Sequence, residues 1–73
     1  MAERRLGNRL KAARAARGWT QADLAAAVGV SRKTVNTIEN QVFTPSTVLA
    51  LGLAQALETT VEALFFLEDA SQK

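Results

Sequence analysis

The chain has 73 residues, room for one small domain whose modest core lies near the lower limit of independent stability. Hydrophobic residues make up 48% of it, with Ala and Leu prominent and a single Pro; this favours helices over sheet and excludes disorder. Cys, His and Tyr are absent, which excludes disulfides and thiolate metal sites and removes the usual general bases and nucleophiles, while the net charge of +2 conceals a basic front and an acidic rear.

Residues 1–33 hold eight Lys/Arg against two acids, whereas residues 34–73 hold one Lys against five acids. A basic front half suits a phosphate-binding face, although a charge run of this kind is also what an ordinary solvated helix surface carries.

The first helix is predicted from about Glu3 to Arg17, ending at Gly18, with Leu6, Leu10 and Ala13 as its inner stripe. Arg5 and Arg9 face solvent in that reading. Arg14 lies beside the stripe, so its guanidinium must leave the core or meet a carboxylate. Trp19 is expected to plug the core between the first two helices.

Thr20 then caps a second helix, with Asp23 completing a capping box, and that helix should end at Val28. Leu24, Ala25 and Val28 are its apolar face, Gly29 the turn, and Ser31 the cap of a third helix. Projected at about 100° per residue, the third helix puts Arg32, Lys33, Asn36, Thr37 and Asn40 on one arc. Thr34, Val35, Ile38 and Glu39 occupy the other. Two short helices around a Gly turn form a helix-turn-helix pattern, which points to DNA. Glu39 borders the apolar pair and faces the body of the domain, where Arg14 is its obvious partner in a structural ion pair.

Residues Gln41 to Thr44 read as a loop with Phe43 anchored in the core, and Thr44 with Pro45 as the cap and first turn of a fourth helix. Leu49, Leu53, Ala54 and Leu57 form its inner stripe, but its remaining faces are also largely apolar. The stretch Val48 to Leu57 is too short to span a bilayer, and a soluble, cytoplasmic protein is expected. Thr60 starts a last short helix in which Val61, Leu64 and Phe65 face the core. Val48, Leu51, Phe66 and Leu67 are left over as an apolar patch that a second copy would cover. Residues 1–4 and 68–73 read as frayed tails of a single 1–73 domain.

The pieces NRLKAARAARGWTQADLAAAVGVSRKTVNTIEN, the TPS helix start and VEALFFLED, in that order and spacing, resemble the Cro and phage-repressor-like helix-turn-helix family, also called the xenobiotic-response-element type, over roughly residues 6–67. The resemblance implies an all-α, compact five-helix bundle of the lambda-repressor-like DNA-binding type, with the third helix in the major groove. It implies phosphate contacts at Gln21, Ser31 and Asn40, base contacts at Arg32, Lys33, Asn36 and Thr37, and an ion pair between Arg14 and Glu39. Gln41 and Glu58 depart from the family pattern, Gln41 standing where a Gly is usual after the third helix and Glu58 where Gly or Asn usually ends the fourth, positions of left-handed conformation, and Thr47 and Thr59 replace residues that are commonly apolar.

The function expected is a sequence-specific, double-stranded-DNA-binding transcriptional regulator, a homodimer on a pseudo-palindromic operator. Repression is expected because 73 residues leave no room for a separate activation domain. The alternative is an interaction module, such as an antitoxin or co-regulator, that uses the apolar surface of the fourth helix and the C-terminal segment. Neither reading needs an enzyme, a cofactor, a metal or a small-molecule effector.

Overall fold

The computed structural model describes residues 4–69, which run β1 (Arg4–Asn8), α1 (Leu10–Ala16), α2 (Gln21–Val28), α3 (Arg32–Glu39), α4 (Thr47–Ala56), α5 (Val61–Leu64) and β2 (Phe65–Asp69). Five helices surround a core led by Leu10, Leu24, Val35, Ile38, Leu53 and Leu64, with Ala25, Leu57 and Phe65 also buried. These residues belong to the inner stripes expected from helical spacing; the other expected members, Leu6, Ala13, Val28, Leu49 and Val61, are partly buried against the core, and Ala54 is buried with it. Among the described residues, no helix is long and apolar enough to cross a membrane.

The fold is not purely helical. β1 and β2 pair antiparallel, with Arg4 opposite Asp69, Arg5 opposite Glu68 and Leu6 opposite Leu67. The segment expected as the first two turns of helix 1 is therefore a strand, and α1 starts only at Leu10. Glu68 and Asp69, expected in a frayed tail, belong to β2; the rest of both tails, apart from Arg4 in β1, lies outside the described residues. Opposite charges thus face one another across the ladder, and Arg5 Nε donates to Glu68 Oε1 at 3.2 Å, which favours this register. Gly7 permits the approach: a Cβ there would collide with the Phe66 ring. Arg9 then stacks its guanidinium 4.5 Å from the Phe66 centroid, so Phe66 is half-buried and not left over, and of the run Leu64 to Leu67 only Leu67 is exposed.

Local chemistry fixes the helix ends. Thr20 and Asp23 form the reciprocal capping box at 3.0 and 2.8 Å, and Gly29 closes α2 in the left-handed region at φ 77°. Ser31 and Thr60 cap α3 and α5 as expected. The fourth helix is shifted: Ser46, not Thr44, accepts from the Leu49 N–H at 3.1 Å, so α4 begins at Thr47 with Pro45 buried outside it. Phe43 is 48% exposed and is no core anchor, because the chain leaving α3 turns it outward. Trp19 sits half-buried at the core's edge, with Arg17 over its ring.

Gln41 and Glu58 take the left-handed conformation that their positions predict, at φ 63° and 56°. Each follows a helix that closes with two backbone hydrogen bonds: Gln41 N–H to Ile38 and Val42 N–H to Thr37 after α3, Glu58 N–H to Gln55 and Thr59 N–H to Ala54 after α4. Gln41 also donates to the Leu6 carbonyl and to Glu68, which ties the end of α3 to the sheet.

Candidate nucleic-acid interface

α3 is short and two-sided. Val35 and Ile38 are buried against the core, while Arg32, Lys33, Asn36 and Asn40 are exposed on one arc. Ala25, 3% exposed, is small where α2 and α3 meet, and the Gly29 turn between them lets α3 cross α2 with its polar arc outward.

Behind the arc, Arg14 and Glu39 form the expected ion pair. Arg14 Nε donates to Glu39 Oε2 at 2.8 Å and Nη2 to Oε1 at 3.1 Å, while Nη1 donates to the Trp19 carbonyl at 3.0 Å. The two side chains are 14% and 6% exposed. Burial alone pushes the Glu39 carboxyl upward, but hydrogen bonds from Arg14 and Gln21, with the nearby positive charge, outweigh it and hold the group below its ordinary value. The same contact raises the Arg14 guanidinium further. A buried, bidentate pair of this kind fixes where α3 sits relative to α1.

The pair extends to the surface through amides. Gln21 Nε2 donates to Glu39 Oε1 at 3.0 Å, Asn36 Nδ2 reaches Gln21 Oε1 at 3.4 Å, and Asn40 Nδ2 donates to the Asn36 carbonyl and Oδ1 at 2.9 and 3.2 Å. Gln21, Asn36 and Asn40, expected as separate contacts, are thus one hydrogen-bonded row in the protein alone. Ser31 is exposed and spends its Oγ on the Thr34 N–H as the cap of α3. Thr37 is half-buried and its hydroxyl donates to the Thr34 carbonyl at 2.9 Å, which leaves it the acceptor side of that oxygen and its methyl to offer. Arg32, Lys33 and Asn36 enclose a shallow hollow of about 300 Å³.

Three contributors were not legible beforehand. Asn8 donates to the Ile38 carbonyl at 2.9 Å and accepts from the Leu10 N–H, holding the end of α3 against the start of α1; its only signal was an Asn after Gly inside a presumed helix. Val42 and Phe43 stand exposed beside Lys33, Thr34 and Thr37 around a second hollow of about 290 Å³. Of the apolar residues expected at a dimer interface, Val48, Leu51 and Leu67 are exposed.

The helix-turn-helix family profile matches residues 10–64. The chain is 40% identical over 62 residues to the uncharacterized HTH-type transcriptional regulator YgzD of Bacillus subtilis, covering 85% of this chain and 94% of that protein. It is 42% identical over 62 residues, with the same coverage, to an uncharacterized HTH-type transcriptional regulator of Methanocaldococcus jannaschii. Among solved structures, the restriction-modification controller protein C.AhdI of Aeromonas hydrophila superposes with a TM-score of 0.71 at 33% identity, over 74% of this chain and 82% of that one.

Proposed function

The chain belongs to the Cro and phage-repressor-like helix-turn-helix family of DNA-binding transcriptional regulators, and from that premise we propose that it is a cytoplasmic, sequence-specific repressor acting as a homodimer on a pseudo-palindromic operator. The observation that carries this reading is the two-sidedness of α3, with Val35, Ile38 and Glu39 locked into the domain and Arg32, Lys33 and Asn36 on the free arc. Arg or Lys donates bidentately or singly to guanine N7 and O6, and Asn pairs with adenine N6 and N7. An interaction module that had left DNA would be free to carry acids or apolar residues there, and this chain does not.

In the complex, α3 enters the major groove with Arg32 and Lys33 in its first turn, where helix-turn-helix proteins reach base edges. Gln21, at the start of α2, Ser31 and Asn40 address the flanking phosphates, helped by the free N–H groups of α2's positive end. Gln21 Nε2 gives one N–H to Glu39 and has a second for the phosphate, so its bond to Glu39 and the one its Oε1 accepts from Asn36 both stay in place. Two copies, joined through the exposed Val48, Leu51 and Leu67, present two such helices to half-sites about one helical turn apart. A dimer seated over a promoter represses by excluding the polymerase.

Selection of bound sequences from random duplexes tests the reading. An enriched inverted repeat supports it, an enriched single site leaves a monomeric regulator in its place, and no enriched motif removes sequence-specific binding altogether.

A further inference from the structure

Two large apolar side chains sit in solvent at the end of the recognition helix. Val42 is 78% and Phe43 48% exposed. They are not on a loose loop: the Val42 and Phe43 N–H groups both donate to the Thr37 carbonyl, at 2.9 and 3.2 Å, and Gln41 before them is pinned to the sheet through Leu6 and Glu68. With Lys33, Thr34 and Thr37 they line the hollow of about 290 Å³ that continues the polar arc of α3. The hydroxyl proton of Thr37 is held on the Thr34 carbonyl, so Thr37 brings to the hollow its methyl and a hydroxyl that can only accept, while Lys33 brings a cation.

We infer that this hollow is a thymine-reading site, in which Val42, Phe43 and the Thr37 methyl receive the 5-methyl group of a thymine at the edge of the operator half-site. The inference rests on the DNA-binding reading and deepens it. The 5-methyl is the one apolar feature that a base pair presents in the major groove, and it is recognised by apolar contact and not by hydrogen bonds. A hollow with Val42 and Phe43 as its apolar wall, sharing Lys33 and Thr37 with the base-reading arc, therefore has its occupant in the same groove. The backbone bonds that hold Val42 and Phe43 before DNA arrives remove much of the ordering cost of such a contact.

The test uses the full chain and the duplex obtained by selection, with each thymine replaced in turn by deoxyuridine, which keeps every hydrogen-bonding group and lacks only the methyl. At one or two positions per half-site the replacement should weaken binding about 3- to 5-fold, the loss expected for one buried methyl group. Val42→Ala combined with Phe43→Ala should bring that discrimination to about 1 at the same positions while leaving the preference set by Arg32 intact. Phe43→Leu, which stays apolar, should retain most of it. Tolerance of deoxyuridine everywhere, or discrimination unchanged in the double variant, overturns the inference while leaving the repressor reading standing. Conversion of a dimer to a monomer by the double variant without DNA also overturns it, by making the patch an interface between copies. Absence of any selected motif removes both readings together.

Discussion

Gln21 Nε2 donates to Glu39 Oε1 at 3.0 Å, on the same oxygen that Arg14 Nη2 reaches from the other side. The carboxylate of Glu39 therefore joins three helices: α1 through Arg14, α2 through Gln21 and α3 through its own backbone. From Gln21 the row continues to Asn36 and Asn40. A largely buried ion pair and the exposed polar arc of α3 are in this way parts of one polar network, in which removing a member is felt by its neighbours.

The first consequence is for stability. Replacing Arg14 with Met leaves Glu39 nearly buried without its cation, and chemical denaturation should register a loss of about 3 kcal/mol. Replacing Glu39 with Leu as well should recover much of that, because an apolar pair leaves no uncompensated charge. Unchanged stability in Arg14→Met would show that the pair contributes nothing.

The pH dependence has a definite sign. Folding lowers the Glu39 carboxyl from its ordinary value of 4.5, so its contribution is complete above that value and is lost as pH falls through the lower folded-state value. Glu68, held down by Gln41 and Arg5, moves in the same direction from the exposed face of the sheet. The Tm of the native chain should fall more steeply below about pH 4.5 than that of Glu39→Gln, which has no such proton to gain. Parallel curves would contradict the assignment.

The two left-handed residues should respond differently to glycine. Glu58 has only a 3.6 Å contact with Arg17 at an exposed site, so Glu58→Gly relieves backbone strain and should stabilise by about 0.5 to 1 kcal/mol. Gln41→Gly gains the same relief but loses the bonds to Leu6 and Glu68, and should be neutral or destabilising. Equal gains in thermal denaturation would mean that the Gln41 side chain does not hold the sheet to α3.

Base and phosphate roles separate in binding. Arg32→Ala should relax the preference at one base pair, by about 1 to 3 kcal/mol, and leave the others. Gln21→Ala should weaken all duplexes alike. Position-specific loss in Gln21→Ala would show instead that Gln21 acts by orienting Asn36.

What the sequence disclosed and what it hid divide along sequence distance. The capping box at Thr20 and Asp23, the turn at Gly29, the caps at Ser31 and Thr60 and the strained positions Gln41 and Glu58 are decided by neighbours within a few residues, and they stand as expected. Arg14 and Glu39, although 25 residues apart, were legible because each is a charge at the edge of an apolar stripe. The strands were not. Leu6 and Leu10 fall at helical spacing, and the partner that turns Arg4–Asn8 into a strand lies some 60 residues away. Gly7 was the signal, since a helix interior disfavours Gly, and the Phe66 ring and the Glu68 carboxylate, which a Cβ there would meet, explain it. At the site, the arc of α3 followed from periodicity, whereas the outward placement of Val42 and Phe43 depends on how the chain leaves α3 through Gln41.

The most direct measurement is the affinity of the native chain for its selected operator and for a scrambled duplex of equal length, across a series of salt concentrations. Reading by Arg32, Lys33 and Asn36 above a phosphate-gripping frame predicts tighter binding to the operator by about 10³-fold or more at physiological salt, with log affinity falling steeply against log salt for both duplexes. Equal affinity for the two duplexes, or binding indifferent to salt, would contradict it.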